Sequence, residues 1–259
     1  MPPSPREPVV YAVEIQTTTG PLRGRVAVDP GPMRLADLVP TAIELTTALV
    51  ARANRRETEA GRAVSCRAGC GACCRQMVPL SPPEAFHLAD VIGSLPPDRR
   101  EAALLRFVEI EALLEEHGMI EELLDPHFDD EPVLRIARAY FDLQQACPFL
   151  VEESCSIHAH RPVACREYNV TSPAAWCADA YTQPIEKVPM PLPLSAPLAR
   201  LTAQLTGTRP RLVPLTLVPR FVADHRELAS RTWPGVELFG RFMEQLGGAP
   251  AGAPGSPGS

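Results

Sequence analysis

The chain has 259 residues, of which 45% are hydrophobic and 22% are charged, a composition typical of a soluble globular protein that is long enough to bury its own core. Its formal net charge is −6 and only 5% of its residues are aromatic. Both values argue against a general nucleic-acid binder, because such proteins need basic surface and aromatic stacking platforms.

The chain starts with Met1 to Pro8, a proline-rich run without the apolar stretch of a signal peptide. No apolar run in the sequence approaches the roughly 20 residues that span a bilayer. We therefore expect a cytoplasmic protein without membrane contact, in which cysteines are reduced and free to bind metal.

Residues 9–28 alternate between apolar and polar side chains around Thr19-Gly20-Pro21, a pattern that predicts a β-hairpin. From Leu35 to about Ala60 the apolar residues repeat at helical spacing, and Gly61 follows directly. This pattern predicts a helix that ends at the glycine.

Three further helices are predicted between residues 81 and 145. The first begins at Ser81-Pro82-Pro83-Glu84, which combines an N-cap serine, prolines in the first turn and a glutamate three residues on. Apolar spacing predicts the second over residues 98–117 and the third over residues 131–145.

The C-terminal part is also predicted to be mostly helical. Helical spacing covers residues 195–206, 219–231 and 236–246, whereas residues 211–218 favour an extended piece, and a short helix is expected after Ser172-Pro173. The tail from Gly247 contains only Gly, Ala, Pro and Ser and is predicted to be disordered.

The predicted fold class is mainly α, with a small N-terminal β-hairpin and an irregular cysteine-rich metal core between helices. We expect four segments: an N-terminal hairpin and helix (1–60), a cysteine-cluster metal-binding domain (61–182), a C-terminal helical extension (183–246) and a disordered tail (247–259).

Eight cysteines form two groups, one tight and one wider: Cys66, Cys70, Cys73 and Cys74, then Cys147, Cys155, Cys165 and Cys177. Thiolates select soft centres such as zinc, Cu(I) or iron–sulfur clusters. Gly69 and Gly71 allow the sharp backbone that turns several thiols toward one centre. We predict that all eight cysteines supply the metal ligands.

Two arrangements of the eight thiols stay open. They match two four-cysteine zinc sites, or one four-cysteine iron–sulfur cluster with spare thiols. The dense three-plus-one loop slightly favours a 4Fe–4S cluster. Adjacent cysteines tend to point apart, so one of Cys73 and Cys74 is expected to serve a different ion or none. Disulfides are the weaker alternative in a reducing compartment.

Polar residues near the cysteines are expected to surround the metal rather than bind it. Four thiolates around one dication leave excess negative charge, which the nearby arginines, Arg67, Arg75, Arg161 and Arg166, are placed to offset. The predicted neighbours of the metal are His158, Arg161, Arg166 and Tyr168. A role for His158 as a ligand is the less favoured alternative.

The spacing Cys66-x-x-x-Cys70-x-x-Cys73 is also that of radical S-adenosylmethionine enzymes. Those enzymes usually carry an aromatic residue before the third cysteine, where this chain has Ala72. The sequence also lacks the repeated strand–helix units of a (β/α) barrel. This spacing alone is therefore a weak indication.

Taken together, the cysteine motifs resemble a known family. They are Cys66-x-x-x-Cys70-x-x-Cys73-Cys74, Leu80-Ser81-Pro82-Pro83-Glu84, Cys147-Pro148-Phe149-Leu150, Cys155-Ser156-Ile157-His158 with Arg161-Pro162, and Cys165-Arg166-x-Tyr168. This combination resembles the YkgJ-type cysteine-cluster family over about residues 60–180. The resemblance implies a zinc- or iron-chelating domain, and flagellin lysine N-methylases contain a similar cluster.

Three functions are compatible with these motifs. The leading hypothesis is a metal-binding protein that chelates zinc or an iron–sulfur cluster through its clustered cysteines. The second is a cluster-dependent enzyme, such as a lysine-methyltransferase-like or redox catalyst, although no separate motif for S-adenosylmethionine is visible. The third is a zinc-stapled interaction module. A protein partner is not indicated by the sequence, and nucleic acid is not expected.

Overall fold

The computed structural model describes residues 7–124, 130–247 and 250–251. The protein is mainly helical with a small N-terminal antiparallel hairpin, which confirms the predicted fold class. No helix in this part of the chain is long and apolar enough to cross a membrane.

The helices are α1 (Val39–Glu59), α2 (Pro82–Ser94), α3 (Pro97–Glu116), α4 (Ile120–Leu124), α5 (Asp130–Asp142), α6 (Val163–Glu167), α7 (Ser195–Thr206), α8 (Val218–Asp224), α9 (Arg226–Ser230) and α10 (Gly235–Gln245). The strands are β1 (Val9–Ile15), β2 (Leu22–Val28), β3 (Pro32–Arg34), β4 (Pro79–Leu80), β5 (Leu150–Val151), β6 (Ser154–Cys155), β7 (Val213–Pro214), β8 (Thr232–Pro234) and β9 (Pro250–Ala251). Short 3₁₀ helices cover Leu35–Leu38, Ala72–Arg75, His158–His160, Ala174–Asp179 and Leu215–Leu217.

The hairpin β1–β2 pairs in antiparallel register from Val9 opposite Val28 to Ile15 opposite Leu22. Its alternating pattern buries one face against the core, as expected for a strand pair with one covered side. Arg52 of α1 donates to the carbonyl of Pro21 at 3.0 Å and thereby fixes the turn of the hairpin against the helix.

The main hydrophobic core takes side chains from each of the first three predicted segments, for example Ile15, Phe149 and Phe242. It packs the hairpin, α1, α2, α7 and α10 together. A smaller cluster joins α3, α4 and α5 through Ile110, Leu114 and Tyr140 and also includes Leu217. The segments therefore share a core, and the boundaries proposed at residues 60 and 182 stay a prediction.

The C-terminal elements differ from the prediction in two places. The stretch 219–231, predicted as one helix, is divided into α8 and α9 at His225, whose backbone leaves the helical region with φ −122° and ψ 32°. The stretch 211–218, predicted as extended, contributes only the two-residue strand β7, which pairs with β4 before a 3₁₀ turn begins.

The tail predicted to be disordered over 247–259 is only partly described. Pro250 and Ala251 pair antiparallel with Val13 and Ala12 of β1, so these two residues extend the N-terminal sheet. Residues 248–249 and 252–259 lie outside the described residues.

The start of α2 confirms the predicted capping box and adds a contact that the sequence does not reveal. Glu84 Oε2 accepts hydrogen bonds from the Ser81 amide at 2.9 Å and from Ser81 Oγ at 2.7 Å. Its second oxygen, Oε1, accepts the amide hydrogen of Val163 at 2.9 Å. This buried carboxyl group therefore joins α2 to the first residue of α6, the helix that carries Cys165. Burial raises the pKa of Glu84.

Replacing Glu84 by Ala is expected to lower the free energy of unfolding by about 3 kcal/mol, because buried amide donors at Ser81 and Val163 lose their acceptor. Glu84→Gln keeps an oxygen acceptor and is expected to lose roughly half as much. Urea unfolding measures both changes. A loss in Glu84→Ala no larger than the roughly 1 kcal/mol expected of a simple N-cap removal, Ser81→Ala, would show that the contact to α6 contributes nothing.

Candidate metal centre

The two cysteine groups meet because hydrogen bonds tie their loops together at both ends of the first group. Before it, the Ser65 amide donates to the carbonyl of Val170 at 2.9 Å. After it, the Cys147 amide donates to the carbonyl of Cys74 at 2.7 Å. The segment that contains α2–α5 therefore begins and ends beside the first cysteine group.

Glycines shape the first group for two different reasons. Gly69 has a φ of +77°, a conformation that L side chains rarely adopt. Gly71 has an ordinary φ but little room: a Cβ there would lie 2.5 Å from Glu153 Oε2 and 2.7 Å from Leu150 Cδ1. Arg75 closes this contact through a 2.9 Å ion pair with Glu153. The 3₁₀ turn at Ala72–Arg75 is thus held against the hairpin β5–β6.

Four thiols line one cavity of about 50 Å³. They come from the first group and from the 3₁₀ helix at Ala174–Asp179, and are Cys66, Cys70, Cys73 and Cys177. We call these four residues the cavity set. Cys66 is exposed whereas Cys177 is buried, so the cavity runs from the surface inward. The Val170 amide donates to the Cys66 thiol, although burial raises the pKa of that thiol overall.

The other four cysteines lie beside this cavity and influence one another. Burial raises the pKa of Cys147 to about 12, and the nearby thiol of Cys155 adds to this effect. Burial and the neighbouring Cys147 raise the pKa of Cys165 as well. Cys147 and Cys155 pack against the main hydrophobic core. We call Cys74, Cys147, Cys155 and Cys165 the core set.

Cys73 and Cys74 join the two sets. The Cys74 thiol donates a hydrogen bond to the Cys73 sulfur, and Cys73 but not Cys74 lines the cavity. This bond lowers the pKa of Cys73 and raises that of Cys74, so it favours a thiolate at Cys73. That the two cysteines serve different ions stays a prediction.

The donor chemistry of these residues fits a soft metal. All eight thiols are free, with no disulfide among them. In the conformation described for residues 7–124, 130–247 and 250–251, however, no three Cys, His, Asp or Glu side chains converge closely enough to hold an ion. Metal binding would therefore have to release protons from these thiols and draw their sulfurs together.

Arg161 is the cation that faces both sets. It lines the cavity, and its Nη2 donates to the carbonyl of Cys165 at 2.8 Å. Its charge acts to lower the pKa of Cys66 and Cys73 in the cavity set and of Cys147 and Cys165 in the core set, against the larger effect of burial. Arg67 lines the same cavity.

The other predicted neighbours have distinct positions. Tyr168 lines the cavity, where its hydroxyl accepts from Gln76 Nε2 at 3.3 Å and donates to Cys177. Arg166 donates to the carbonyls of Arg161 and Ala159 at 2.9 and 2.7 Å, so it fixes the loop backbone. His158 is exposed and contributes its carbonyl to Arg166, at 3.2 Å.

Sequence reasoning did not identify Gln76 and Asn169. Gln76 orients the Tyr168 hydroxyl, and Asn169 lines the cavity. Neither amide belongs to a recognisable ligand pattern, and both become visible only when distant loops meet. Gln76 had one weak signal, its place two residues after Cys74.

Comparison with known proteins supports metal binding at this site. Residues 65–183, less than half of the chain, match the family model CxxCxxCC, described as "Putative zinc- or iron-chelating domain". This range contains all eight cysteines and agrees closely with the predicted metal-binding segment 61–182. No curated protein and no solved structure matches the chain.

Replacing Arg161 by Gln is expected to weaken zinc binding about 10-fold, and to raise the pH at which half of the protein is loaded, because the thiols lose a cation that lowers their pKa. Competition with a chromophoric chelator across a pH series measures both quantities. Arg25→Gln, an exposed change on β2 far from the thiols, is the matched control. Identical pH profiles for the two variants would refute the role of Arg161.

Glu167 provides a test of pH-dependent stability next to the site. It accepts the Leu194 amide hydrogen at 2.8 Å, and burial raises its pKa from 4.5 to about 7. Between these values the folded state holds a proton that the unfolded state releases, so the contribution of Glu167 to stability is full below pH 4.5 and is lost as the pH rises through 7.

Glu167→Gln removes this titration. The stability of the native chain relative to the variant is expected to fall by about 2 kcal/mol between about pH 5 and about pH 8. Urea unfolding of both metal-loaded proteins gives the difference, in which the shared pH dependence of the thiols cancels. A difference that is constant across this range would show that Glu167 titrates normally.

Proposed function

We propose that this chain is a metal-binding protein that holds its metal through two adjoining four-thiol sites, the cavity set and the core set. The observation that carries the proposal is that free thiols from distant loops share one cation. Cys66, Cys70, Cys73 and Cys177 line a cavity with Arg161, and the charge of Arg161 also acts on Cys147 and Cys165. The match of residues 65–183 to a zinc- or iron-chelating family supports the same conclusion.

The assignment of the eight thiols to two four-ligand sites follows from the coordination preference of zinc and from the positions of the thiols. Zinc in structural sites takes four tetrahedral ligands, and four thiolates around one dication carry a net charge of about −2. Cys73 and Cys74 belong to different sets but touch each other, so two such sites would lie side by side. Arg161 faces both and would reduce their mutual repulsion.

Single ions, zinc or iron, suit the cavity set because its four thiols match the four ligands that a tetrahedral ion takes. The bound ion would supply the positive charge that stabilises four thiolates. The polypeptide adds hydrogen bonds to two of these sulfurs: the Val170 amide donates to Cys66, and the Tyr168 hydroxyl donates to Cys177.

A 4Fe–4S cluster in the cavity set is the second candidate. The observation that favours it is the arrangement of three thiols from one short loop with a fourth, Cys177, from a distant element. Such a cluster would suit the second hypothesis, a cluster-dependent enzyme, with Arg67 and Asn169 lining the approach. An interaction module shaped by zinc is the remaining alternative. In each case we infer a reducing, cytoplasmic location, because eight thiols stay unpaired.

Elemental analysis with a visible absorption spectrum, on protein purified without oxygen, decides between these candidates. Colourless protein with two zinc ions per chain supports single-ion sites. Iron with acid-labile sulfide and a broad band near about 400 nm supports a cluster. Protein that contains neither zinc nor iron, and cannot be loaded with either, would refute the proposed function.

Paired serine variants test the two sets separately. Cys66→Ser/Cys177→Ser is expected to remove the metal of the cavity set and leave that of the core set, halving the metal content. Cys74→Ser/Cys165→Ser is expected to remove the core-set metal and also to lower the melting temperature, by about 5 °C or more, because that set joins loops packed on the core.

Metal content by mass spectrometry under native conditions, together with thermal unfolding, reads out both effects. A chelator is expected to remove the metal of the cavity set first, since Cys66 is exposed. Loss of all metal in both variants would indicate one shared cluster instead of two sites. Unchanged metal content in both would contradict the assignment of ligands altogether.

A further inference from the structure

The outer face of α3 carries an apolar stripe that the fold leaves uncovered. Leu105 is 57% exposed, Val108 64% and Leu104 39%, and Ala112 continues the stripe one turn on. Val108 is three to four positions from Leu104, Leu105 and Ala112, so their side chains lie beside it on the helix surface. The opposite face of the same helix, with Ala103, Phe107, Ile110 and Leu114, is buried. Because α3 packs on the protein through this opposite face, the exposed stripe does not take part in that packing.

Exposed carboxylates lie along one edge of this stripe and at both of its ends. Helical geometry places Glu101, Glu109, Glu115 and Glu116 within one turn of its apolar residues. All four are exposed, and among the ion pairs of the described residues none involves them. Their charges are thus available to a ligand.

The basic residues of α3 point the other way. Arg99 Nη2 donates to the carbonyl of Ser156 at 2.7 Å, Arg100 Nη1 to that of Gly93 at 3.2 Å, and Arg106 Nη1 to that of Pro148 at 3.0 Å. Each arginine is therefore engaged with the backbone of the protein itself. The outer face of the helix combines aliphatic side chains with negative charge only.

We infer that this face of α3 docks a basic amphipathic segment of a partner protein. The aliphatic side chains of such a segment would cover Leu105 and Val108, and its Lys and Arg residues would meet Glu101, Glu109 and Glu116. Helix-in-groove and helix-on-helix recognition use apolar anchors at this spacing, and complementary charge adds selectivity and speed of association. The inference stands independently of the metal.

Two other occupants fit the charges less well. A second copy of this chain would bring the same carboxylates together, which is unfavourable at close range. An anionic membrane surface would be repelled by the same residues. A partner with basic side chains would instead be attracted by the carboxylates around the stripe.

Fluorescence anisotropy with the full-length protein tests the inference. The probe is a labelled synthetic helical peptide of about 18 residues, with leucines at positions i, i+3, i+4 and i+7 and lysines elsewhere. Leu105→Ser/Val108→Ser is expected to weaken its binding at least 10-fold. Glu101→Gln/Glu109→Gln/Glu116→Gln is expected to weaken it about 10-fold, and added salt should weaken it further.

The matched control removes three exposed carboxylates elsewhere, as Glu59→Gln/Glu227→Gln/Glu244→Gln, and should leave binding within about 2-fold. Equal loss in the control and the α3 variants would show attraction by net charge alone and overturn the proposal. So would peptide binding that survives Leu105→Ser/Val108→Ser. Self-association in sedimentation experiments that is abolished by that double variant would instead identify a second copy as the occupant.

Discussion

Thiols of both cysteine groups lie close enough to raise one another's pKa, and they cannot all ionise unless a cation joins them. This electrostatic constraint governs the candidate metal centre. The pKa values of Cys66, Cys74, Cys147, Cys165 and Cys177 are raised, mainly by burial except at Cys74, where the hydrogen bond to Cys73 has the larger effect. Neighbouring thiols add to the rise. The charge of Arg161 offsets part of it, and a dication would offset far more. A metal ion bound to these thiols would therefore stabilise the fold.

The rest of the protein serves to hold the two cysteine groups at one location. Amide hydrogen bonds from Ser65 and Cys147 fix the first group to the second. The buried carboxyl group of Glu84 attaches the helix of Cys165 to α2, while Cys147 and Cys155 rest on the main core. The chain flanking the cysteine segment contributes much of that core, so the site and the flanks depend on each other. This dependence explains why a metal-binding segment of about 120 residues is accompanied by additional helices on both sides.

Local patterns were sufficient for most of the fold, whereas the composition of the site stays a prediction. The capping box at Ser81, the helix over 195–206 and the hairpin over 9–28 depend on neighbouring residues, and each agrees with the structure. The break at His225 and the brevity of β7 depend on tertiary packing and were not visible in the sequence. The hydrogen bond between the thiols of Cys73 and Cys74 was not visible from their spacing. The grouping of Cys177 with the first cysteines, and the contact of Glu84 with Val163, required the folded chain.

X-ray absorption at the metal edge, on protein purified without oxygen, tests the central claim most directly. The account predicts a first shell made only of sulfur, about four atoms per metal, at about 2.3 Å for zinc. When the serine variants remove the ligands of one set, the metal in the other set should keep its first shell of sulfur. A first shell dominated by nitrogen or oxygen would contradict the account, because it would place the metal away from the eight cysteines.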